Sequence, residues 1–228
     1  MKIVAVTTSA DRAAAAAIPF TMAGMQPVEL PCIEIEPVYD DLLEAVRTSA
    51  LQADLIVVSS RRTLDLLWPD RDLPECAFAA VGRTTARQIR DRGGKVAFTG
   101  TEGAMDLADL IVGSVGGKTV IWPHANGADP APLERVAARA SVFAAPTIYT
   151  AVPRPPADDE VDIATFASPS AVQGWTMTRS LDATPVAVIG NTTRRAIEEL
   201  DSKVDVVAPS PTFQALAQAV ADFLGVTA

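Results

Sequence analysis

Histidine occurs once in this chain, at His124, and cysteine only twice, at Cys32 and Cys76. One histidine leaves almost no material for a His-based metal site or relay, and there is neither a Cys-x-x-Cys pair nor an EF-hand array of carboxylates. A Ser-His-Asp triad would have to recruit His124, but no Gly-x-Ser-x-Gly elbow accompanies it, so it reads as a loop residue. Two distant cysteines build no disulfide framework and fit a reducing compartment. The dinucleotide fingerprint GxGxxG is also missing. Gly113-Ser-Val-Gly-Gly-Lys-Thr119 resembles a phosphate loop, but its first glycine is one residue too close and it precedes an apolar strand instead of following one. It reads as a helix end and turn. Basic residues are scarce: 19 Lys and Arg against 28 Asp and Glu give −9, which leaves no sequence-wide field for nucleic acid or anionic membrane. No apolar run approaches the ~18 residues of a membrane span, and Met1–Arg12 reads as a first strand rather than a signal peptide. The expectation is a soluble cytoplasmic protein without metal or cofactor, whose chemistry uses hydroxyls, backbone dipoles and a few charges.

Against these absences, 49% of the 228 residues are hydrophobic, enough for a sizeable core. Short β-branched runs predict strands at Lys2–Val6, Asp54–Ser59, Ala77–Val81, Lys95–Phe98, Thr119–Trp122, Asp162–Ala167, Pro185–Ile189 and Lys203–Val207. Amphipathic stretches between them predict helices at Asp11–Ala23, Asp40–Leu51, Thr84–Asp91, Met105–Ser114, Pro130–Arg139, Thr192–Leu200 and Pro211–Leu224. This alternation means an α/β fold with mostly parallel sheets covered on both faces. The chain also repeats itself at an offset of 108 without a gap: Ala53–Ser60 falls on Val161–Ser168, Val81–Arg87 on Ile189–Arg195, and Lys95-Val96 on Lys203-Val204. A shorter echo links Lys2–Val6 to Lys118–Trp122. Two Pro-flanked extended segments, Leu30–Val38 and Ala145–Pro156, suit linkers or edge strands.

Gly-x-Thr-Thr follows an apolar strand and opens a helix in both repeats. The glycine permits a tight turn and a threonine hydroxyl can cap the helix. Such a corner also gathers free N–H groups, hydroxyls and the positive end of the helix dipole, a setting for carboxylates. Thr84 and Thr85 in one half and Thr192 and Thr193 in the other are therefore candidate binding residues. Ser59, Ser60, Ser168 and Ser170 close strands at matching places and join that set.

A strand ending Ser-Ser, then Gly-x-Thr-Thr, a mid-chain Pro146-x-Ile-Tyr149, Phe166-Ala-Ser-Pro-Ser-Ala-Val172, Ile189-Gly-Asn-Thr-Thr-Arg-Arg-Ala-Ile197 and Pro209-Ser-Pro-Thr-Phe-Gln-Ala-Leu216 together resemble the uroporphyrinogen-III synthase family. The resemblance spans nearly the whole chain. It implies two similar flavodoxin- or Rossmann-like domains, residues 1–33 with 154–228 and residues 38–147, joined by a two-stranded linker at 34–37 and 148–153. The implied activity is that of a lyase of tetrapyrrole and heme biosynthesis: cofactor-free closure of hydroxymethylbilane, an octa-carboxylate linear tetrapyrrole, with inversion of its last ring. By resemblance Tyr149 is the candidate catalytic residue, donating a hydrogen bond to the departing hydroxyl, and a monomer is expected. The chain departs from the family where Thr7-Thr8-Ser9 replaces Thr-Arg-Pro and Pro123-His124-Ala125-Asn126 replaces an Arg-Gly pair, removing two basic side chains. The alternative is a two-domain binding or sensor protein that does not catalyse.

Overall fold

Each β-branched run becomes a short strand, and most strands are followed by a helix. The computed structural model describes residues 1–226. In chain order they form β1 (Ile3–Val6), α1 (Ala10–Met22), β2 (Gln26–Glu29), β3 (Ile33–Pro37), α2 (Asp40–Ala50), β4 (Leu55–Val58), α3 (Arg61–Leu67), β5 (Ala77–Val81), α4 (Arg83–Asp91), β6 (Lys95–Gly100) and α5 (Ala104–Ile111). There follow β7 (Thr119–Ile121), β8 (His124–Ala125), α6 (Pro130–Ala137), β9 (Val142–Ala144), β10 (Thr147–Pro153), β11 (Ile163–Phe166), α7 (Pro169–Thr176), β12 (Val186–Val188), α8 (Asn191–Glu198), β13 (Val206–Val207) and α9 (Phe213–Leu224).

The chain divides into two compact units, Met1–Ile35 with the chain from Ala151 onward, and Glu36–Thr150. Each holds a five-stranded sheet, in the order β13-β12-β11-β1-β2 in unit 1 and β6-β5-β4-β7-β9 in unit 2. Neighbouring strands in both sheets run parallel. The two orders are the same list once β11, β12, β13, β1 and β2 are matched to β4, β5, β6, β7 and β9, the correspondence expected from the sequence repeat. Unit 2 meets its strands in one continuous pass. Unit 1 meets two at the start of the chain and three at the end.

Side-chain alternation splits each strand between two faces. In unit 1, Val4 and Val6 join Phe20 of α1 and Leu216 and Val220 of α9. Ala5 between them points the other way, to Phe166, Val172 and Trp175. Phe166 and Trp175 meet edge to face with centroids 5.7 Å apart. In unit 2, Leu55, Val57 and Val120 pack with Leu107 and Ile111 of α5 and Val136 of α6. All of these side chains are buried, and burying each of the larger ones contributes roughly 1.5–3 kcal/mol.

The repeat carries its own fastening. Asp162, just before β11, accepts the Ile3 amide at 2.7 Å and the Lys2 ammonium at 3.2 Å. That amide bond, with Lys2, holds its carboxyl below the usual range. Asp54, its counterpart before β4, accepts the Thr119 amide at 2.8 Å. In both units an aspartate at the foot of one strand thus fixes the start of the next.

Several elements differ from the sequence expectation. The helices α3 and α7 and the strands β2, β8 and β9 add to it, and β13 is confined to Val206–Val207. The extended Pro-flanked segments become β3 and β10, and β8 joins them in a three-stranded sheet of order β3-β10-β8. His124, expected in a loop, therefore lies in a strand, with Nδ1 and Nε2 lying 2.8 and 3.0 Å from the Ala125 and Ala145 carbonyls. Gly174 sits inside α7 because an added Cβ would stand 2.1 Å from the Cys32 carbonyl and 2.5 Å from that of Arg154. Cys32 and Cys76 are both free, and burial pushes their thiols up to about 12 and about 11.

Candidate functional site

Open parallel sheets place ligands beyond the carboxyl ends of their strands, where the strand order reverses. In unit 2 that point lies between β4 and β7. Ser59 and Ser60 leave β4 there, and the Trp122 indole N–H donates to Ser59 Oγ at 2.8 Å. In unit 1 it lies between β1 and β11. There the Thr7 hydroxyl donates to the Thr165 carbonyl at 2.7 Å, and the Thr165 hydroxyl to the Ala5 carbonyl at 2.6 Å. Both reversal points are closed by hydrogen bonds that include a side-chain hydroxyl.

The sequence-predicted residues gather at these edges, unit by unit. Ser59 and Ser60 follow β4, while Thr84 and Thr85 open α4 after the adjacent β5. Ser168 and Ser170 follow β11, while Thr192 and Thr193 open α8 after the adjacent β12. In each threonine pair the first side chain is exposed and the second buried. Thr85 is 7% and Thr193 3% exposed.

Threonine capping is corrected by the structure. The N-cap residues of α4 and α8 are Gly82 and Gly190, and neither helix has a side-chain cap. The threonines sit inside the first turn, at the second and third helical positions. Three other helices are capped by a side chain: Ser168 accepts the Ala171 amide, Thr212 the Ala215 amide and Asp129 the Ala131 amide, whereas α1, α2, α3 and α5, like α4 and α8, are not. Among the described residues, nothing bonds the hydroxyls of Thr84, Thr85, Thr192, Thr193, Ser60 or Ser170. Ser60 has the backbone of Ser168, with φ near −157° against −161°, yet its buried Oγ makes no bond. The two glycines also differ. Gly82 has φ 85°, a region that side chains strain to adopt, whereas Gly190 is extended at φ 179°.

Tyr149 lies on β10 at 9% exposure, its register partner being Ala125 of β8. The Asn126 amide donates to the Tyr149 carbonyl at 2.8 Å, and the Arg62 guanidinium stands over its ring. Arg62 carried no signal in sequence, because nothing in α3 announces contact with β10. A concavity of about 990 Å³ between α5 and α6 is lined by none of the candidate residues. No three His, Cys, Asp or Glu side chains among the described residues gather as a metal site requires, and no described helix is long and apolar enough to cross a membrane.

The fold defines a protein of two parallel-sheet α/β units whose hydroxyl-rich strand ends are duplicated. A family profile described as uroporphyrinogen-III synthase HemD matches residues 13–218, and the chain belongs to this family. Its structure is similar to that of uroporphyrinogen-III synthetase from Helicobacter pylori, with TM-score 0.66, 15% identity and coverage of 97% of this chain and 99% of that one. It is also similar to a mutant uroporphyrinogen III synthase from the extreme thermophile Thermus thermophilus, with TM-score 0.60, 17% identity and 99% coverage of both chains. No curated protein matches at a significant level.

Proposed function

We propose that this protein is a cofactor-free lyase that closes hydroxymethylbilane into uroporphyrinogen III. The observation that carries the reading is the matched pair of uncapped helices α4 and α8, which open with Gly-x-Thr-Thr in both repeats. Each brings free amides, an exposed threonine and a positive dipole end to a strand edge, and a substrate with eight carboxylates needs such partners. Membership of the family supports the same reaction.

The chemistry asks little of strong acids. The terminal hydroxyl leaves as water, taking a proton from the Tyr149 hydroxyl. The last pyrrole ring attacks to give a spiro intermediate, which reopens and closes at the other carbon. That carbon's proton is lost as the ring regains aromaticity, and it restores the phenol. Positive charge spreads over the pyrroles, so the protein's task is to curve the substrate, exclude direct closure and hydrogen-bond the leaving group. The segments 34–37 and 148–153 act in this reading as a linker between domains 1–33 with 154–228 and 38–147, and the enzyme works as a cytoplasmic monomer.

Hydroxymethylbilane closes spontaneously to the type I isomer. Added protein is expected to divert the product to type III, read by chromatography of the oxidised porphyrins. An unchanged isomer mixture would sink the enzyme reading. It would favour a binding protein, the reading to which Thr7, Thr8 and Ser9 lend weight: all three are buried, and none offers a cation to a carboxylate.

A further inference from the structure

Arg62 and Tyr149 are distant in the chain but meet inside unit 2. Arg62 stands in the first turn of α3, and its guanidinium carbon lies 5.3 Å from the centre of the Tyr149 ring, within cation–π range. The Tyr149 carbonyl is held by the Asn126 amide, one residue past β8, and the neighbouring Ile148 is fully buried. The motion left to the phenol is rotation about its side-chain bonds, and the guanidinium covers one face of the ring. The hydroxyl, by contrast, makes no hydrogen bond among the described residues. A ring held on one face with its hydroxyl uncommitted is arranged to donate to something other than the protein.

We infer that Arg62 is a positioning residue for Tyr149, an inference that rests on the reading of Tyr149 as the leaving-group donor. The guanidinium fixes the direction of the hydroxyl and stabilises the negative charge that builds on the phenol oxygen as its proton moves. Unit 1 has no equivalent, since the matching position in its repeat is Ser170.

Two measurements on the full chain test this. In the first, Arg62→Met lowers kcat for hydroxymethylbilane roughly two- to thirtyfold with a smaller change in KM, the span of cation–π contributions. The same substitution made in Tyr149→Phe changes kcat less than about twofold, because no hydroxyl is left to aim. Arg62→Lys, which keeps the charge and loses the planar stack, recovers part of the rate. Equal losses in both backgrounds would overturn the inference. The second uses Tyr39→Phe, which leaves Tyr149 as the sole tyrosine of the two in the chain. Tyr39 is 90% exposed and outside the site. NMR of ring-labelled tyrosine then reads Tyr149 alone, and Arg62→Met is expected to shift its resonance and speed its ring flips. An unmoved resonance overturns the clamp whatever the kinetics. A Tyr149→Phe variant at the wild-type rate overturns the donor reading and the inference with it. That result is told apart from failure of the clamp because the resonance does not depend on turnover.

Discussion

The two units share a strand order, an aspartate fastening and a Gly-x-Thr-Thr helix start, and they differ in what surrounds those features. Unit 2 holds Tyr149 with its guanidinium, and it ties Ser59 to Trp122. Unit 1 has Ala167 where unit 2 has Ser59, and it commits the Ser168 hydroxyl to capping α7. In the proposed reading, both copies keep the carboxylate-binding corner while the donor stands on one side only. A substrate with many equivalent acid groups and one reacting hydroxyl calls for that division of labour.

The sharpest test of this asymmetry is Tyr149→Phe. The ring and its packing remain, so the melting temperature should barely move while the cyclisation rate falls 10²–10⁴-fold, roughly the range of general-acid assistance. Type III should remain the main enzymatic product. A wild-type rate would show that Tyr149 only packs.

Next in size is Gly174→Ala in α7. Its Cβ would collide with two carbonyls, so a loss of ~3 kcal/mol or more is expected in denaturant unfolding. The matching position in unit 2 is Leu66, so this close approach belongs to unit 1 alone. A stable Ala variant would show that the backbone there gives way.

The threonine pairs separate binding from packing. Thr192→Ala should weaken substrate binding by roughly 10–150-fold, the equivalent of one charge-assisted bond, with little change in melting temperature. Thr193→Ala should do the reverse, costing ~1 kcal/mol of stability because its side chain is buried. Thr84 and Thr85 should follow the same division with smaller effects on binding. Identical behaviour of both members of a pair would remove the distinction between outward and inward residues.

The last contrast, whose lower end is almost no effect, separates the two glycines. Gly82→Ala should cost roughly 1–3 kcal/mol through its positive φ, and Gly190→Ala almost nothing in unfolding. If Gly190→Ala nevertheless weakens binding, the open space beside it is where a carboxylate approaches.

Much of the layered fold was legible because the runs around Val4, Val57, Ala79 and Ala187 are apolar, short and regularly spaced. The elements that escaped are weak locally. The strand β8 is two residues long, α3 has seven residues, and α7 carries a helix-weakening glycine whose reason is a tertiary contact. In the candidate site, the hydroxyls could be found because the repeat displays them twice. Their bonding could not: whether Ser60 or Ser168 caps its helix depends on rotamers, and the two have nearly the same backbone. Arg62 was invisible for a further reason, since its importance depends on where β10 passes α3.

The permuted strand order of unit 1 has a consequence for synthesis. Unit 2 is complete in the chain once Thr150 has been made, and it can fold behind the ribosome. The strand β1, whose Val4, Ala5 and Val6 are all fully buried in the finished protein, must wait for Ile163 to arrive. At about 5–20 residues per second that wait lasts roughly 8–30 s. During translation the nascent chain therefore carries a finished inner unit and, beside it, an apolar N-terminal strand paired only with its local neighbour, a segment that chaperones would be expected to shield.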